Sequence, residues 1–167
     1  MQDILKRLGY RPGDRALMLD APQVPGSALA GAMSPQPDSA AEGLYPFVMA
    51  FVTDLAQFEQ RKAGWAAATA SQGRLWVCYP KKSSKRFKTD VSRDVLWPLM
   101  GELGFEPVSQ YALDEDWSAM RFRPVGEIKC MVRKSAATQE GARRAELERE
   151  KMEKAGKIKT GKQRKMP

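Results

Sequence analysis

The sequence predicts an α/β fold with an open, mostly parallel, Rossmann-like sheet. A C-terminal antiparallel hairpin closes this sheet, and a basic helical or disordered tail follows it. Two apolar runs, YPFVMAFV at 45–52 and RLWVCYP at 74–80, show no polar alternation, which is typical of parallel strands covered on both faces. A helical pattern separates the two runs, and strand and helix continue to alternate after the second. The length of 167 residues suits one domain.

The first elements are a short helix and a strand. Residues 4–8 carry apolar side chains at helical spacing, and a glycine and then a Pro-Gly pair follow them and end the helix. The apolar run ALML at 16–19 is the first strand, and it ends at Asp20. Residues 21–46 hold five of the eleven prolines, which argues against a regular strand there and leaves one or two helical turns at 27–33.

Two longer helices carry the chain between the next strands. The first is predicted to begin at a cap, Thr53 or Asp54, and to close at Gly73. The second is predicted to begin at Asp90, and it contains Pro98, where a kink is expected. Both helices have an apolar stripe at helical spacing, so both are expected to pack on the sheet.

A hairpin and a charged segment complete the predicted organisation. PVSQYAL at 107–113 is the fourth strand, and SAMRFRPV at 118–125 is its antiparallel partner, because too few residues remain for a crossover. We therefore expect one Rossmann-like domain over residues 1–134. Residues 135–167 are predicted to form a charged helix, QEGARRAELEREKMEKAGK, and a basic tail that has too little apolar surface to fold.

Composition excludes several classes of function. The chain has no histidine, so histidine-based triads and the commonest general base are excluded. Its two cysteines, Cys78 and Cys130, are too few for a structural zinc site, and Cys78 is expected to be packing material inside a strand. The charged start of the chain has no signal-peptide core, and the apolar runs are too short to span a membrane, so a cytoplasmic protein is expected.

Three motifs in the sequence resemble a group of small, uncharacterised bacterial proteins that are grouped as a domain of unknown function. The shared patterns are W-x-x-Y-P-K at 76–81, D-x-x-R-D at 90–94 and D-x-x-W-S-A-x-R-F-R at 114–123. The opening LGYRPGDRALMLDAP is also similar to that group. This resemblance covers most of residues 5–124 and implies a Rossmann-like fold without a known activity.

A broader resemblance is to the later half of class I methyltransferases. Those proteins end in strand, helix, strand, helix, strand and an antiparallel hairpin, which is the order predicted here for residues 45–123. The chain departs from that family after its first strand, where LDAPQVPGSALAG has prolines at positions that a glycine-rich cofactor turn would occupy. No acidic residue clearly ends a second strand to hold a ribose.

The basic loop after the third strand is the first candidate site. Five of the eight residues at 81–88 are basic, and they leave a strand end that leads towards a helix N-terminus. Helix N–H groups, serines and cations together suit a phosphate or a carboxylate. A solvated loop without a ligand and a catalytic loop are the alternatives. The candidate residues are Lys81, Lys82, Ser83, Ser84, Lys85 and Arg86.

The hairpin supplies the second candidate site, made of Asp114, Trp117, Ser118 and Arg121. Trp117 and Arg121 point to the same face of a regular strand. Asp114 is positioned to accept a bidentate hydrogen bond from Arg121 or Arg123 across the turn. This arrangement is interpreted either as a structural clamp on the hairpin or as a ligand site.

Two single residues near strand ends are further candidates. Asp20 follows the first strand and is either a turn-former or a polar group at the mouth of a cleft. Tyr79 lies near the end of the third strand, where its phenol either stacks on a base, acts as an acid or is buried against a helix.

The C-terminal segment carries +5 of the net charge of +8, counted from residue 135. Such a tail either samples polyanions or only increases solubility. Contacts with about three to five phosphates would be salt-dependent and without base specificity. The candidate residues are Lys157, Lys159, Lys162, Arg164 and Lys165.

These observations predict a non-catalytic, Rossmann-like binding or interaction module. It is expected to contact nucleic acid or phosphate ligands through the basic loop and the tail, without a cofactor. The alternative is a divergent S-adenosylmethionine-dependent methyltransferase in which the Asp20 loop and the Tyr79 strand end border the cofactor. Oligomeric state is not predicted.

Overall fold

The computed structural model describes residues 1–156, in which helices and strands alternate around one sheet. The strands are β1 Ala16–Leu19, β2 Tyr45–Phe51, β3 Thr69–Pro80, β4 Phe105–Ala112 and β5 Trp117–Pro124. The helices are α1 Gln2–Leu8, α2 Gln23–Gly31, α3 Leu55–Ala68, α4 Arg93–Gly101 and α5 Gln139–Lys154, with a 3-10 turn at Val125–Glu127. The order from β2 to β5 is the one that the methyltransferase resemblance implies.

The five strands form a mixed, open sheet in the order β1-β2-β3-β5-β4. β1, β2 and β3 pair in parallel, with Val48 opposite both Leu17 and Leu75. β5 is antiparallel to both of its neighbours, so two of the four pairings are antiparallel. β1, β2, β3 and β4 therefore run in one direction, and β5, which lies between β3 and β4, runs against them, so the sheet is mixed and not purely parallel. The architecture is α/β and consistent with a Rossmann-like fold.

The two faces of the sheet carry separate apolar clusters. α3 and α4 cover one face, where Phe58, Leu96 and Phe122 are fully buried. α1 and α2 cover part of the other face. Trp76 is buried there, and its indole Nε1 donates to the Leu8 carbonyl oxygen at 3.0 Å, which ties α1 to β3. Burial of each large apolar side chain contributes about 1.5–3 kcal/mol, which explains why β2 and β3 are apolar on both faces.

Cys78 lies within the second of these clusters. Its side chain is fully buried and makes no disulfide, and burial raises the pKa of the thiol well above its ordinary value. The thiol is therefore neutral packing material, as the sequence predicted.

The boundary between α3 and β3 differs from the prediction. The helix ends at Ala68 rather than at Gly73, and residues 69–73 are the beginning of β3. Thr69 pairs with Tyr45 of β2, which gives its backbone a partner outside the helix. Gly73 is required here, because a Cβ atom would lie 2.7 Å from the carbonyl oxygen of Ala70. Sheet pairing across the chain has overridden the helix propensity of an Ala-rich segment.

The N-terminal cap of α4 is also not the predicted residue. α4 begins after Ser92, and the Asp90 carboxylate accepts instead from the backbone N–H of Leu55 at 2.8 Å. Asp54 caps α3 as expected, because its carboxylate accepts from the N–H of Gln57 at 2.8 Å. Asp90 thus joins the start of α3 to the segment before α4, a contact between residues 35 positions apart.

α5 forms in the segment where the sequence predicted a charged helix. Its residue Ala145 is buried with Ile128 and Met131 in a third, small apolar cluster. The division into domains at residue 134 stays a prediction. Within residues 1–156, no helix is both long enough and apolar enough to cross a membrane.

Candidate functional site

The basic loop and the hairpin turn meet at the edge of the sheet where β3 and β4 end. The backbone N–H of Lys81 donates to the Asp116 carbonyl oxygen at 2.7 Å, and the Lys81 ammonium donates to the Asp114 carbonyl oxygen at 2.6 Å. The Ser84 hydroxyl donates to the Asp116 carboxylate at 2.7 Å. Two motifs about 30 residues apart in sequence therefore form one structural unit. In open α/β sheets, ligands bind at this type of edge.

Among residues 1–156, the Asp114 carboxylate binds no arginine, which corrects the proposed clamp. Its carboxylate accepts from the backbone N–H groups of Asp116 and Trp117, at 2.8 and 2.7 Å, and so closes the turn before β5. Arg121 lies on β5 four residues after Trp117, which places it roughly 13 Å further along the strand. A short aspartate at a turn bonds more readily to the backbone two or three residues ahead than to a side chain further along the strand.

A cleft opens between the end of β3, the start of α4 and the β4–β5 hairpin. Its volume is about 290 Å³, and we call it the α4 cleft. The residues that line it are Tyr79, Pro80, Lys81, Lys82, Val91, Ser92, Arg93, Asp94, Gln110 and Ser118. It includes two of the predicted loop cations and the predicted Tyr79.

Two hydroxyl groups of the α4 cleft are available as donors. Tyr79 is 4% exposed, and its phenol oxygen accepts from the Gln110 side-chain amide at 3.0 Å, which leaves the phenol proton free to donate. Burial raises the pKa of Tyr79, so the phenol stays protonated at neutral pH. Ser118 is 7% exposed, and its hydroxyl lies in the lining of the cleft. A hydroxyl in the lining of a cleft can donate a hydrogen bond to a ligand.

The start of α4 adds backbone donors and positive charge. A helix leaves its first N–H groups without an intrahelical partner, and the Ser92 side chain does not cap those of α4. Lys82 and Arg93 lie at the rim and are exposed. Asp94 is the acidic residue of the lining, but its side chain is 83% exposed and contacts Arg93 at 3.5 Å. The α4 cleft is thus rich in donors and cations, which suits an anion.

A second, smaller cleft continues from the first along α4 and β4. It has a volume of about 180 Å³, shares Arg93 and Gln110 with the α4 cleft, and we call it the Trp97 groove. The Arg93 and Arg133 guanidinium carbons lie 5.7 and 5.4 Å from the centre of the Trp97 ring. Val108 and Met120 add apolar surface. The groove therefore offers flat and apolar contacts beside a donor-rich site.

The remaining loop candidates lie outside the α4 cleft. Ser83 and Lys85 are exposed and are not among its lining residues. Arg86 contacts the Asp116 carboxylate at 3.5 Å, and the Phe87 ring packs edge-on against Trp117 at 5.1 Å. The loop is thus anchored by an apolar contact that its basic composition does not indicate. The tail candidates, from Lys157 to Lys165, lie outside the described residues.

Asp20 lies at another part of the same edge, in contact with α3. Its carboxylate binds the Arg61 guanidinium. Beyond the end of β1 is a cleft of about 230 Å³, the β1 cleft, whose lining includes Met18, Pro22 and Ser27. Tyr79 lines the α4 cleft and not this one, so the two elements that would border a methyltransferase cofactor lie in separate clefts. In residues 1–156, no group of three or more Cys, Asp or Glu side chains is arranged to hold a metal ion.

Sequence reasoning missed three residues of the α4 cleft. Ser92 and Arg93 lie within the D-x-x-R-D motif, but the sequence pattern predicts the helix start at Asp90, and the actual N-cap is Ser92. Gln110 lies within a strand that showed no unusual chemistry in sequence. A pattern of serine followed by charged residues before an apolar run was the available signal for Ser92.

No protein-family model matches the chain, and no curated protein matches it. Solved structures with a similar arrangement include "The structure of LepI complex with SAM", at 15% identity, and "A Pericyclic Reaction enzyme", at 16% identity. Both have a TM-score of 0.40, and each match covers 73% of this chain and 39% of the other. The chain thus spans well under half the length of these proteins. At this TM-score the likeness assigns neither a ligand nor a reaction to this chain.

Proposed function

We propose that this protein is a binding module that holds a phosphate-bearing ligand in the α4 cleft. The observation that supports this most strongly is the set of donors that converge on the cleft. They are the phenol of Tyr79, the hydroxyl of Ser118 and the start of α4, which the Ser92 side chain does not cap, with Lys82 and Arg93 at the rim. Phosphate oxygens are acceptors, so each of these groups has a role towards such a ligand.

The adjoining Trp97 groove supports an organic phosphate over a free inorganic ion. The α4 cleft and the groove, of about 290 and 180 Å³, share Arg93 as a common wall. Small-molecule sites have volumes of roughly 300–1,000 Å³ and combine apolar walls with a few polar groups. A phosphate monoester would place its phosphate among the donors and its remaining part along Trp97 and Val108.

Calorimetric titration with phenyl phosphate tests this proposal. The full chain should bind the ester, and Arg93→Gln should weaken binding at least about tenfold, because it removes a charge-assisted contact. Arg143→Gln is the matched control: it removes an equal charge from the exposed surface of α5 and should leave affinity unchanged. Phenol, without the phosphate, should give no heat. The proposal fails if phenyl phosphate gives no heat at low salt, or if both arginine variants weaken binding equally.

S-adenosylmethionine binding is the competing candidate. The observation that favours it is the β1 cleft, which opens beyond the carboxyl end of the first strand, where open α/β sheets bind ligands. The residues there do not fit the cofactor, because the Asp20 carboxylate is engaged by Arg61 and prolines replace a glycine-rich turn. Calorimetry with the cofactor and its demethylated product distinguishes the two candidates. A saturable heat that Arg93→Gln leaves unchanged would favour the methyltransferase interpretation.

A further inference from the structure

The part of the sheet that faces away from α3 and α4 is only partly covered by helices. α1 and α2 bury the side chains of β1, β2 and the middle of β3 on this face. Over the start of β3, the end of β4 and the second half of β5, the side chains on this face are partly or fully exposed. We call this surface the arginine face, and its residues are Arg74, Ser109, Tyr111, Arg121 and Arg123.

The guanidinium groups of the arginine face lack sufficient counter-charge. Arg121 forms no hydrogen bond or ion pair within the described chain, and its Nε atom is buried without a partner. Burial, then the charges of Arg123 and Arg74, lower the pKa of Arg121, whereas Glu127 opposes this shift. Arg123 donates to the Gln72 side-chain oxygen at 2.9 Å and to the Glu127 backbone carbonyl oxygen at 3.0 Å. Neither acceptor carries a charge. Arg121 thus feels the charges of two arginines and of one acidic residue, Glu127.

An exposed aromatic ring lies on the same face. Tyr111 is 39% exposed, and its ring centre is 5.8 Å from that of Trp76. Trp76 is also the β3 residue that pairs with Arg121. Cross-strand neighbours on one face of a sheet lie within reach of long side chains, so the phenol ring and the Arg121 guanidinium flank the same tryptophan.

We propose that the arginine face binds single-stranded nucleic acid. Phosphates of the backbone lie against Arg74, Arg121 and Arg123, and a base stacks on Tyr111. Exposed sheet faces that combine aromatic rings with arginines bind unpaired strands in this way, because unstacked bases and flexible phosphates adapt to a flat surface. A duplex keeps its bases stacked and cannot use Tyr111. This surface lies on the opposite face of the sheet from the α4 cleft, so the inference does not depend on the phosphate-ligand proposal.

Fluorescence anisotropy with a labelled oligo-dT and the full chain, at a series of salt concentrations, tests this inference. Contacts to about three phosphates predict a slope of log affinity against log salt near −2 for a single strand. Arg121→Gln should reduce that slope by about 0.7. Tyr111→Ala should weaken binding at least about fivefold with an unchanged slope, because a stacking contact is lost.

Three controls keep the result specific. Arg143→Gln removes one exposed charge from α5 and should leave both affinity and slope unchanged. Lys162→Gln changes the tail and should have a smaller effect than Arg121→Gln. Unlabelled duplex DNA should compete less well than an unlabelled single strand. The inference is overturned if oligo-dT does not bind at low salt, if Arg121→Gln and Tyr111→Ala both bind as the wild type does, or if duplex competes equally. Tyr111→Ala alters an exposed side chain, so it reports on binding even if Arg121→Gln impairs folding.

Discussion

Two helix N-termini in this protein are built from similar groups but are satisfied differently. At the start of α5, the buried Glu106 carboxylate accepts from the Thr138 hydroxyl at 2.7 Å and from the N–H groups of Thr138 and Ala137 at 2.9 Å each. It also binds the Arg133 guanidinium. At the start of α4, Ser92, Arg93 and the cleft hydroxyls offer a comparable set of donors. The nearby carboxylate at α4, that of Asp94, is exposed and contacts Arg93.

The difference shows what an anion does at such a site. Glu106 completes the first turn of α5, neutralises Arg133 and joins β4 to a helix about 30 residues later. An anion at a helix N-terminus is favoured by the free N–H groups and by the helix dipole. The protein therefore uses its own carboxylate as structure at α5, and at α4 it presents the same chemistry at a cleft.

The largest effect is expected from Glu106→Gln. Loss of the negative charge leaves the partly buried Arg133 without its counter-ion and weakens the contacts to α5. Removing one member of a buried ion pair costs about 3 kcal/mol of unfolding free energy. Urea unfolding followed by circular dichroism measures this. Glu140→Gln removes an exposed carboxylate from the first turn of the same helix and should lower the midpoint much less, because exposed charges contribute little to stability. Equal midpoints for the two variants would show that Glu106 does not hold α5 in place.

Gly141→Ala tests the close packing of Glu106 at the start of α5 through the direction of its effect on stability. Glycine to alanine inside a helix normally stabilises by about 1 kcal/mol. At Gly141 a Cβ atom would collide with the Glu106 carboxylate and lie 2.8 Å from the Thr138 hydroxyl, so we expect destabilisation by roughly 1–2 kcal/mol. At Gly64 in α3, the same position is open: apart from the adjacent residues and the helix backbone, nothing in the described part of the chain lies within 4 Å of it, so Gly64→Ala is the matched control and should stabilise. Thermal unfolding of both variants measures the two signs, and stabilisation by Gly141→Ala would contradict the close approach.

The smallest change in stability, and the most direct test of the α4 cleft, comes from Ser92→Asp. A carboxylate at this cap would accept from the free N–H groups of α4 and imitate Glu106, which should stabilise the protein by about 0.5–1 kcal/mol. It should also repel the ligand and weaken phenyl phosphate binding at least tenfold. Ser92→Asn is the control: it supplies a neutral cap that competes for the same N–H groups without repelling the ligand, so it should weaken binding much less than Ser92→Asp. Undiminished binding by Ser92→Asp would place the ligand elsewhere.

Much of the core could be predicted from the local pattern of apolar residues in the sequence. β1, β2 and the apolar half of β3 were predicted because their side chains are buried on both faces, which requires continuous apolar runs. The hairpin followed from the short connection between residues 113 and 118. The α4 cleft could be predicted only in part: Tyr79 was a candidate from its position near the end of a strand, and Lys81 and Lys82 from their position after it, whereas Gln110 has no local signal.

The sequence by itself determined that α/β elements alternate and that basic residues follow the third strand, because these properties depend on neighbouring residues and their periodicity. Only the tertiary structure decided that β5 lies between β3 and β4, that Asp90 binds the start of α3, and that Asp114 closes a turn instead of holding an arginine. Each of these depends on which distant backbone groups find partners. Such pairing is set by the packing of the whole sheet and not by any one segment.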